Sequence, residues 1–379
     1  MAGMPESPKA AIKARRMLAK KAEDGSLVCL ACNRYCRIRE GNAGFCGVRA
    51  NSGGRLKLLV DLRPAAVWVD PIEKKPMFHF LPGSRSFSLG TYGCNFACSF
   101  CQNWDLSQAP QEARQADPKR WMEHFRSLVA SVEEWPPERV VHEALRQGCK
   151  SISFTYSEPT IFTEYALDVM RLARKKGLKG VYVTNGYESP ECWKALKGNI
   201  DAANIDLKAY NQRFYTKLCK VPDFQKVKDS IVMARKLGIW VEVTTLLVPG
   251  WNDDAGELKD EAEWLASVDP LMPWHITAFH PDFKLRDVDA TEPESLIRAR
   301  EIGLAAGLRY IYCGNIPSSY SEYETTSCHS CGKELVVRYG YDIARNDIIR
   351  GVRGIKGING AEEGAGRCRH CGARIPGIW

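Results

Sequence analysis

The chain has 379 residues, 45% of them hydrophobic and 26% charged, which suits one large α/β domain with small appendages. Its net charge of +8 is modest for that length and permits an anionic partner without requiring one. No apolar run is long enough to span a membrane, and the first residues lack the apolar centre of a signal peptide, so the cytoplasm is the expected compartment.

In chain order, the opening MAGMPESPKAAIKARRMLAKK reads as a basic amphipathic helix. Residues 1–85 form a first segment carrying Cys29, Cys32, Cys36 and Cys46. Strand, loop and helix then alternate through residues 86–317, with strands expected at 86–90, 151–156, 180–184, 203–207, 240–248, 274–279 and 308–312. Most are short, β-branched or aromatic, and nearly free of charge, as strands buried on both faces should be. Amphipathic stretches at 160–177, 224–238 and 254–267 lie between them. This alternation predicts a parallel sheet with right-handed crossovers. Periodicity alone leaves open a closed barrel, a partial one or a doubly wound sheet. From residue 318 the character changes: Cys328-x2-Cys331 and Cys368-x2-Cys371 bracket a glycine-rich basic insert, 345–367, which reads as a mobile loop.

Eleven of the fifteen cysteines thus fall into three compact groups. In a reducing compartment such grouping marks metal ligands rather than disulfides. The middle group, Cys94, Cys98 and Cys101, lies in GTYGCNFACSFCQNW directly after the strand at 86–90. At C-x3-C-x2-C spacing, three thiolates on one tight loop can hold three of the four irons of a cubane and leave the fourth open. Loops at the carboxyl ends of parallel strands are also where α/β sheets place their chemistry. The competing readings are a three-cysteine zinc site completed by a histidine, or three unrelated buried thiols.

With Phe100 preceding the third cysteine, C-x3-C-x-aromatic-C resembles the signature of the radical S-adenosylmethionine (SAM) superfamily. The resemblance implies a [4Fe–4S] cluster whose open iron chelates SAM. One electron then breaks the sulfur–C5′ bond, giving methionine and a 5′-deoxyadenosyl radical that abstracts hydrogen from a C–H bond. Polar motifs at later strand ends resemble SAM contacts of the glycyl-radical-enzyme activases. Tyr156-Ser157-Glu158-Pro159 stands where that family has GGEP, followed by Thr184-Asn185-Gly186 and Asp206-Leu207-Lys208. Val248-Pro249-Gly250 and Phe279-His280-Pro281 end the next strands, His280 matching a SAM-contacting histidine. VDPIEKKPMFHFLPGSRSFSLGTYGCNFACSFCQNWDLSQ, YSEPTIFTEY, YVTNGY, WVEVTTLLVPGWND, PWHITAFHPDFKL and CRHCGARIPGIW resemble the AmmeMemoRadiSam-system radical SAM enzymes, relatives of the pyruvate formate-lyase activases.

That resemblance covers essentially the whole chain. It implies an α/β fold with a partial (β/α)6-type barrel at 86–317, a cysteine-rich segment at 1–85 and a zinc-ribbon-like domain at 318–379. SAM would be bound by Phe100, Ser157, Glu158, Thr184, Asn185, Asp206, Lys208 and His280, and electrons would come from a flavodoxin- or ferredoxin-type donor.

Cys328, Cys331, Cys368 and Cys371 have the paired knuckles of a zinc ribbon, with Gly332 and Gly372 where each knuckle turns. His329 and His370 beside them read as surface residues. Cys29, Cys32, Cys36 and Cys46 share a metal, either zinc as a staple or an auxiliary iron–sulfur cluster, with zinc slightly favoured. Cys149, Cys192, Cys219 and Cys313 read as core thiols, Cys219 being singled out as a candidate hydrogen-atom donor. No cobalamin domain is legible, so cobalamin is not expected. The expected function is C–H modification of a peptide, a protein or a glycyl radical enzyme. Modification of RNA or of a small metabolite are the alternatives within the chemistry. Outside it stands a non-catalytic zinc-binding adaptor or nucleic-acid-binding module using the basic loops.

Overall fold

The computed structural model of the chain describes residues 17–350 and 366–379. The first strands are small: β1 (Ala19–Lys21), β2 (Leu27–Cys29) and β3 (Arg37–Ile38) form an antiparallel sheet, and β4 (Arg49–Ser52) pairs with β5 (Arg55–Leu58). Ala19–Lys21 was expected to continue a helix. It is instead drawn into pairing with Leu27–Cys29 across a turn at Asp24-Gly25, where Gly25 adopts φ +77°. An Asp-Gly pair between extended runs is a hairpin signal that outweighs the helical pattern of the preceding basic residues. The rest of that expected helix lies outside the described residues.

The large sheet contains β6 (Ala66–Pro71), β7 (Arg85–Gly90), β8 (Ser151–Phe154), β9 (Lys179–Thr184), β10 (Ala202–Asp206), β11 (Trp240–Leu247), β12 (Trp274–Ala278) and β13 (Ile311–Gly314). Spatial order follows chain order from β6 to β13. Strands β7 to β13 are parallel, and β6 runs antiparallel along β7, from Ala66 opposite Gly90 to Pro71 opposite Arg85. Because the order never reverses, the sheet is wound in one direction and is not doubly wound. The last strand begins three residues later than the sequence pattern suggests, since Trp274 of β12 pairs with Ile311.

Helices such as Thr163–Ala173, Gln225–Lys236, Ala255–Val268 and Pro293–Ala305 provide the crossovers. The main core joins their apolar faces to the sheet and includes Phe87, Ile152, Tyr182, Ile205, Val243 and Ile276. No helix among the described residues is long and apolar enough to cross a membrane.

Two further three-stranded sheets follow: β14 (Thr326–Ser327), β15 (Glu334–Tyr339) and β16 (Asp342–Asn346), then β17 (Ile348–Arg350), β18 (Gly366–Cys368) and β19 (Arg374–Ile375). The start and end of the glycine-rich insert are therefore ordered strand rather than loop. Ile348 packs on a second core around Phe78, Tyr312, Leu335 and Trp379, which gives that edge an apolar anchor. Residues 351–365 of the insert lie outside the described residues.

The segment between β6 and β7 ties these parts together. Glu242 of β11 accepts the backbone N–H groups of Phe78 and His79 at 2.9 and 2.8 Å, and the Arg338 guanidinium donates to the Phe78 carbonyl at 2.8 Å. The His79 ring lies between the Pro376 carbonyl, 2.7 Å from Nδ1, and the Tyr312 hydroxyl, 2.6 Å from Nε2. Burial pushes its pKa down to about 4, so it sits there as a neutral imidazole.

Candidate active site

The carboxyl ends of β7 to β12 open on one cavity of about 590 Å³. The loop after β7 brings Cys94, Cys98 and Cys101 to its wall. That loop is pinned by its backbone: Ala97 N–H donates to the Cys219 carbonyl at 3.1 Å and Ser99 N–H to the Leu218 carbonyl at 2.8 Å. Both carbonyls belong to an irregular π-helical turn, Tyr215–Cys219, a local form often found at functional sites. Burial pushes the Cys94 thiol well up and the Cys101 thiol to about 11, so these groups would ionise only against a cation or metal.

The expected SAM-contacting residues reach the same cavity, with one difference. Phe100, Ser157, Glu158, Thr184, Asn185, Asp206 and Lys208 all line it. His280 is exposed and is not among the lining residues. Ser157 presents a buried hydroxyl with no partner. Glu158 is occupied: it accepts from Thr160 N–H at 3.0 Å, Thr160 Oγ1 at 2.5 Å, Thr184 Oγ1 at 2.8 Å and Asn185 N–H at 2.8 Å. With four donors on its oxygens it locks the ends of β8 and β9 together. Lys208 donates to Asp206 at 2.6 Å; burial opposes its charge, but Asp206 and the nearby thiols hold its pKa above the usual lysine range. Cys219 is fully buried and hydrogen-bonded to Cys98, off the cavity wall, which does not suit a hydrogen-atom donor.

Several residues escaped the sequence reading. His275 lines the cavity, its Nε2 2.7 Å from Glu242, although it lies inside β12 rather than at its end. Tyr156, named in the sequence only as part of the motif standing for GGEP, also lines it, at φ +69°, and its hydroxyl donates to Asp70 of β6. Lys75 donates to the same carboxylate at 2.6 Å, and burial lowers its pKa to about 8. The string VDPIEKKP held that signal, but only the β6–β7 pairing shows that its charges turn inward. Glu188 shares the Thr184 hydroxyl with Glu158, at 2.6 Å, and burial together with the Glu158 charge raises its pKa to about 8. It therefore carries its proton near neutral pH.

The remaining cysteine groups differ in size. Cys328, Cys331, Cys368 and Cys371 bring their sulfurs within 4.8 Å of one another, with Cys328–Cys371 and Cys331–Cys368 each at 3.7 Å. Gly332 and Gly372 take φ +71° and +75° and donate to the Cys328 and Cys368 carbonyls, so the two knuckles are alike. The His329 ring is engaged by the Tyr310 hydroxyl at 2.8 Å. Cys29, Cys32 and Cys46 are buried and Cys36 is half-buried, yet no three of this group come within 4.8 Å.

The sequence profile of the radical SAM superfamily matches residues 88–262, the stretch that runs from β7 into the helix after β11. An uncharacterized protein of Methanocaldococcus jannaschii is 41% identical over 324 residues, covering 85% of this chain and 91% of its own. The pyruvate formate-lyase-activating enzyme of Clostridium pasteurianum is 21% identical over 220 residues, 53% of this chain and 83% of its own. The chain belongs to the radical SAM superfamily. It is an enzyme, related to the activases. A GTP 3′,8-cyclase of Aquifex aeolicus, 25% identical over 178 residues, covers 46% of this chain and 50% of its own. Membership in the radical SAM superfamily implies a [4Fe–4S] cluster and SAM. The residues present fit both: three thiols line one wall of the cavity while the unpartnered Ser157 hydroxyl lies in another.

Proposed function

We propose that this radical SAM enzyme binds its [4Fe–4S] cluster through Cys94, Cys98 and Cys101 and uses it to cleave SAM, with a peptide or protein as the target. When bound, the cluster and SAM supply a 5′-deoxyadenosyl radical that removes hydrogen from the target. The observation that carries the reading is the meeting, in one cavity, of these thiols with polar groups from three successive strand ends. Ser157 offers a free hydroxyl to the SAM methionine moiety. Asn185, held by its 2.7 Å bond to Asn95, orients the polar wall beside Cys94. The Asp206–Lys208 pair presents one positive and one negative group where SAM carries both charges. Tyr156 and Lys75 face the cavity, both held by the Asp70 carboxylate of β6, and are suited to hold or move a proton on the target.

A peptide or protein target is supported by the relation to activases and by the exposed Tyr339 and Tyr341 next to the cavity mouth, where Tyr341 and Gly340 contribute to the lining. The core at 86–317 takes the form of a partial barrel in this reading. The segment at 1–85 lends it β6, and the unit at 318–379 is a zinc ribbon. Zn–S bonds of about 2.3 Å in a tetrahedron place sulfurs about 3.8 Å apart, which agrees with the spacing at Cys328–Cys371.

The test is anaerobic reconstitution with iron and sulfide, then incubation with SAM and dithionite. The expected product is 5′-deoxyadenosine, absent for Cys98→Ala. A reconstituted, iron-loaded protein that yields none overturns the reading. Deuterium transferred from a candidate peptide into deoxyadenosine would then identify the target.

A further inference from the structure

We propose that Cys29, Cys32, Cys36 and Cys46 hold a second [4Fe–4S] cluster, which relays electrons to the cluster at Cys94, Cys98 and Cys101; the relay rests on the function proposed above, the site itself does not. The argument begins with size. A single zinc ion draws its four sulfurs to about 3.8 Å from one another. The C-terminal group of this chain has that spacing, at 3.7 Å, whereas no three sulfurs of the N-terminal group come within 4.8 Å. Cys32 and Cys46 pack in the main core with Val48, and Cys29 and Cys36 in a small core with Leu27 and Ile38; Leu18 touches both cores. In a cubane each thiolate binds a different iron, so its ligands stand farther apart than around one ion. The central triplet, Cys94, Cys98 and Cys101, likewise brings no three sulfurs within 4.8 Å.

The donors around the N-terminal group suit an iron–sulfur centre. Arg49 Nε donates to Cys29 Sγ at 3.2 Å, and Phe45 N–H donates to Cys36 Sγ at 3.5 Å. Hydrogen bonds to sulfur and a nearby buried cation are among the means by which proteins set cluster potentials.

Position supplies the role. Gly93, immediately before Cys94, is pressed against the N-terminal group: a Cβ placed there would lie 2.7 Å from the Cys46 carbonyl oxygen. From that contact and standard backbone dimensions, the Cα atoms of Cys46 and Cys94 are about 10 Å apart at most. Arg34, between Cys32 and Cys36, donates to the Asn95 carbonyl at 2.5 Å. The two cysteine groups therefore abut through a single layer of backbone. Four thiolates leave no iron of the N-terminal cluster open, so it can pass electrons but cannot chelate SAM. One electron from a flavodoxin- or ferredoxin-class donor reduces the N-terminal cluster from the 2+ to the 1+ state. That cluster returns to 2+ as the central one is reduced, with no atom or proton exchanged.

The test counts metals in the full chain, purified anaerobically and reconstituted with iron and sulfide. The wild type is expected to carry about eight irons and eight sulfides, and zinc at only the C-terminal site. The Cys94→Ala, Cys98→Ala, Cys101→Ala variant should keep about half of that iron. On reduction it should give a paramagnetic signal that SAM does not alter. Zinc at both outer sites, with iron for one cluster only in the wild type, overturns the proposal. That result leaves the function proposed above intact, because deoxyadenosine formation by the wild type reports on the central site alone. For the relay, Cys36→Ala with Cys46→Ala should slow SAM cleavage driven by reduced flavodoxin at least tenfold more than cleavage driven by dithionite. Equal losses with both reductants overturn the relay.

Discussion

Arg49 offers a direct test of how the N-terminal segment is held to the enzyme core. Its guanidinium meets the Glu164 carboxylate through two bonds of 2.7 Å, and both side chains are only 2% exposed. It also donates to the Ile161 carbonyl at 3.1 Å and to Cys29 Sγ at 3.2 Å, while Glu164 accepts the Leu18 N–H at 2.8 Å. Arg49→Met keeps the length of the side chain and removes its charge. Glu164 is then left ionised in a buried site with one donor, a change that costs about 3–5 kcal/mol. Arg49→Met with Glu164→Leu replaces the pair by apolar groups and should recover at least ~2 kcal/mol of that loss, since such exchanges are often close to neutral.

Guanidinium unfolding of the metal-loaded proteins, followed by tryptophan fluorescence, gives the four corners of the cycle. The pH dependence carries a sign. Burial works against the Glu164 charge, yet Arg49 holds its pKa below the ordinary value of 4.5. In the wild type the pair therefore adds stability above that value, and the contribution fades as pH falls through the lowered folded pKa. In Arg49→Met the lone carboxyl takes up its proton more readily, so the deficit should be largest near neutral pH and shrink in acid. An Arg49→Met loss under about 1 kcal/mol, or additivity within about 0.5 kcal/mol, would refute the reasoning.

Glu188→Gln should be tolerated at neutral pH because the native carboxyl is already protonated, whereas Glu158→Gln should destabilise by about 1–3 kcal/mol by giving up a charged acceptor. Because the Glu188 pKa is raised to about 8, native stability should fall as pH rises from 4.5 towards 8, and Glu188→Gln should flatten that slope in unfolding measurements. Gly93→Ala should lower stability by roughly 2–4 kcal/mol, since it combines φ +95° with approach to a backbone oxygen at 2.7 Å and to Val48 Cγ1 at 2.8 Å. Gly148→Ala, at φ +69° with nothing within 4 Å, is the control for backbone strain alone and should cost about 1 kcal/mol. Cys331→Ser should abolish zinc binding at the C-terminal group and lower the melting temperature without changing the iron content, as metal analysis and calorimetry would show.

Local pattern and spacing carried much of this molecule. The strands at 86–90, 180–184 and 240–248 were legible because runs such as SFSLG and GVYVT are apolar on both faces, and the structure places them within a residue or two. Glu158, Asn185 and Asp206 were reached through the resemblance to the activases, and they line the cavity because they stand at strand ends. Features that depend on distant pairing were hidden. Lys75 and Asp70 gain their place only when β6 lies antiparallel on β7, and His275 looks like an ordinary strand residue until its neighbours turn it inward. Ala19–Lys21 shows the reverse failure, a helical pattern overridden by a three-residue turn, Glu23 to Gly25, just beyond it.

The strict order of β6 to β13 also bears on how the chain matures. Each strand pairs with the one made just before it, so the sheet can grow stepwise during synthesis, with only modest loops to close. The segment carrying Lys75, Phe78 and His79 cannot complete its contacts at that stage. It is made early, yet His79 waits for Tyr312 and Pro376, Phe78 waits for Arg338, and the Leu81 N–H waits for the Ile378 carbonyl at 2.6 Å. One side of the cavity thus stays unfastened until the ribosome has added residues 376–378. Assembly of the wall that carries Cys94, Cys98 and Cys101 and closure of the cavity around it are separated in time by the direction of translation.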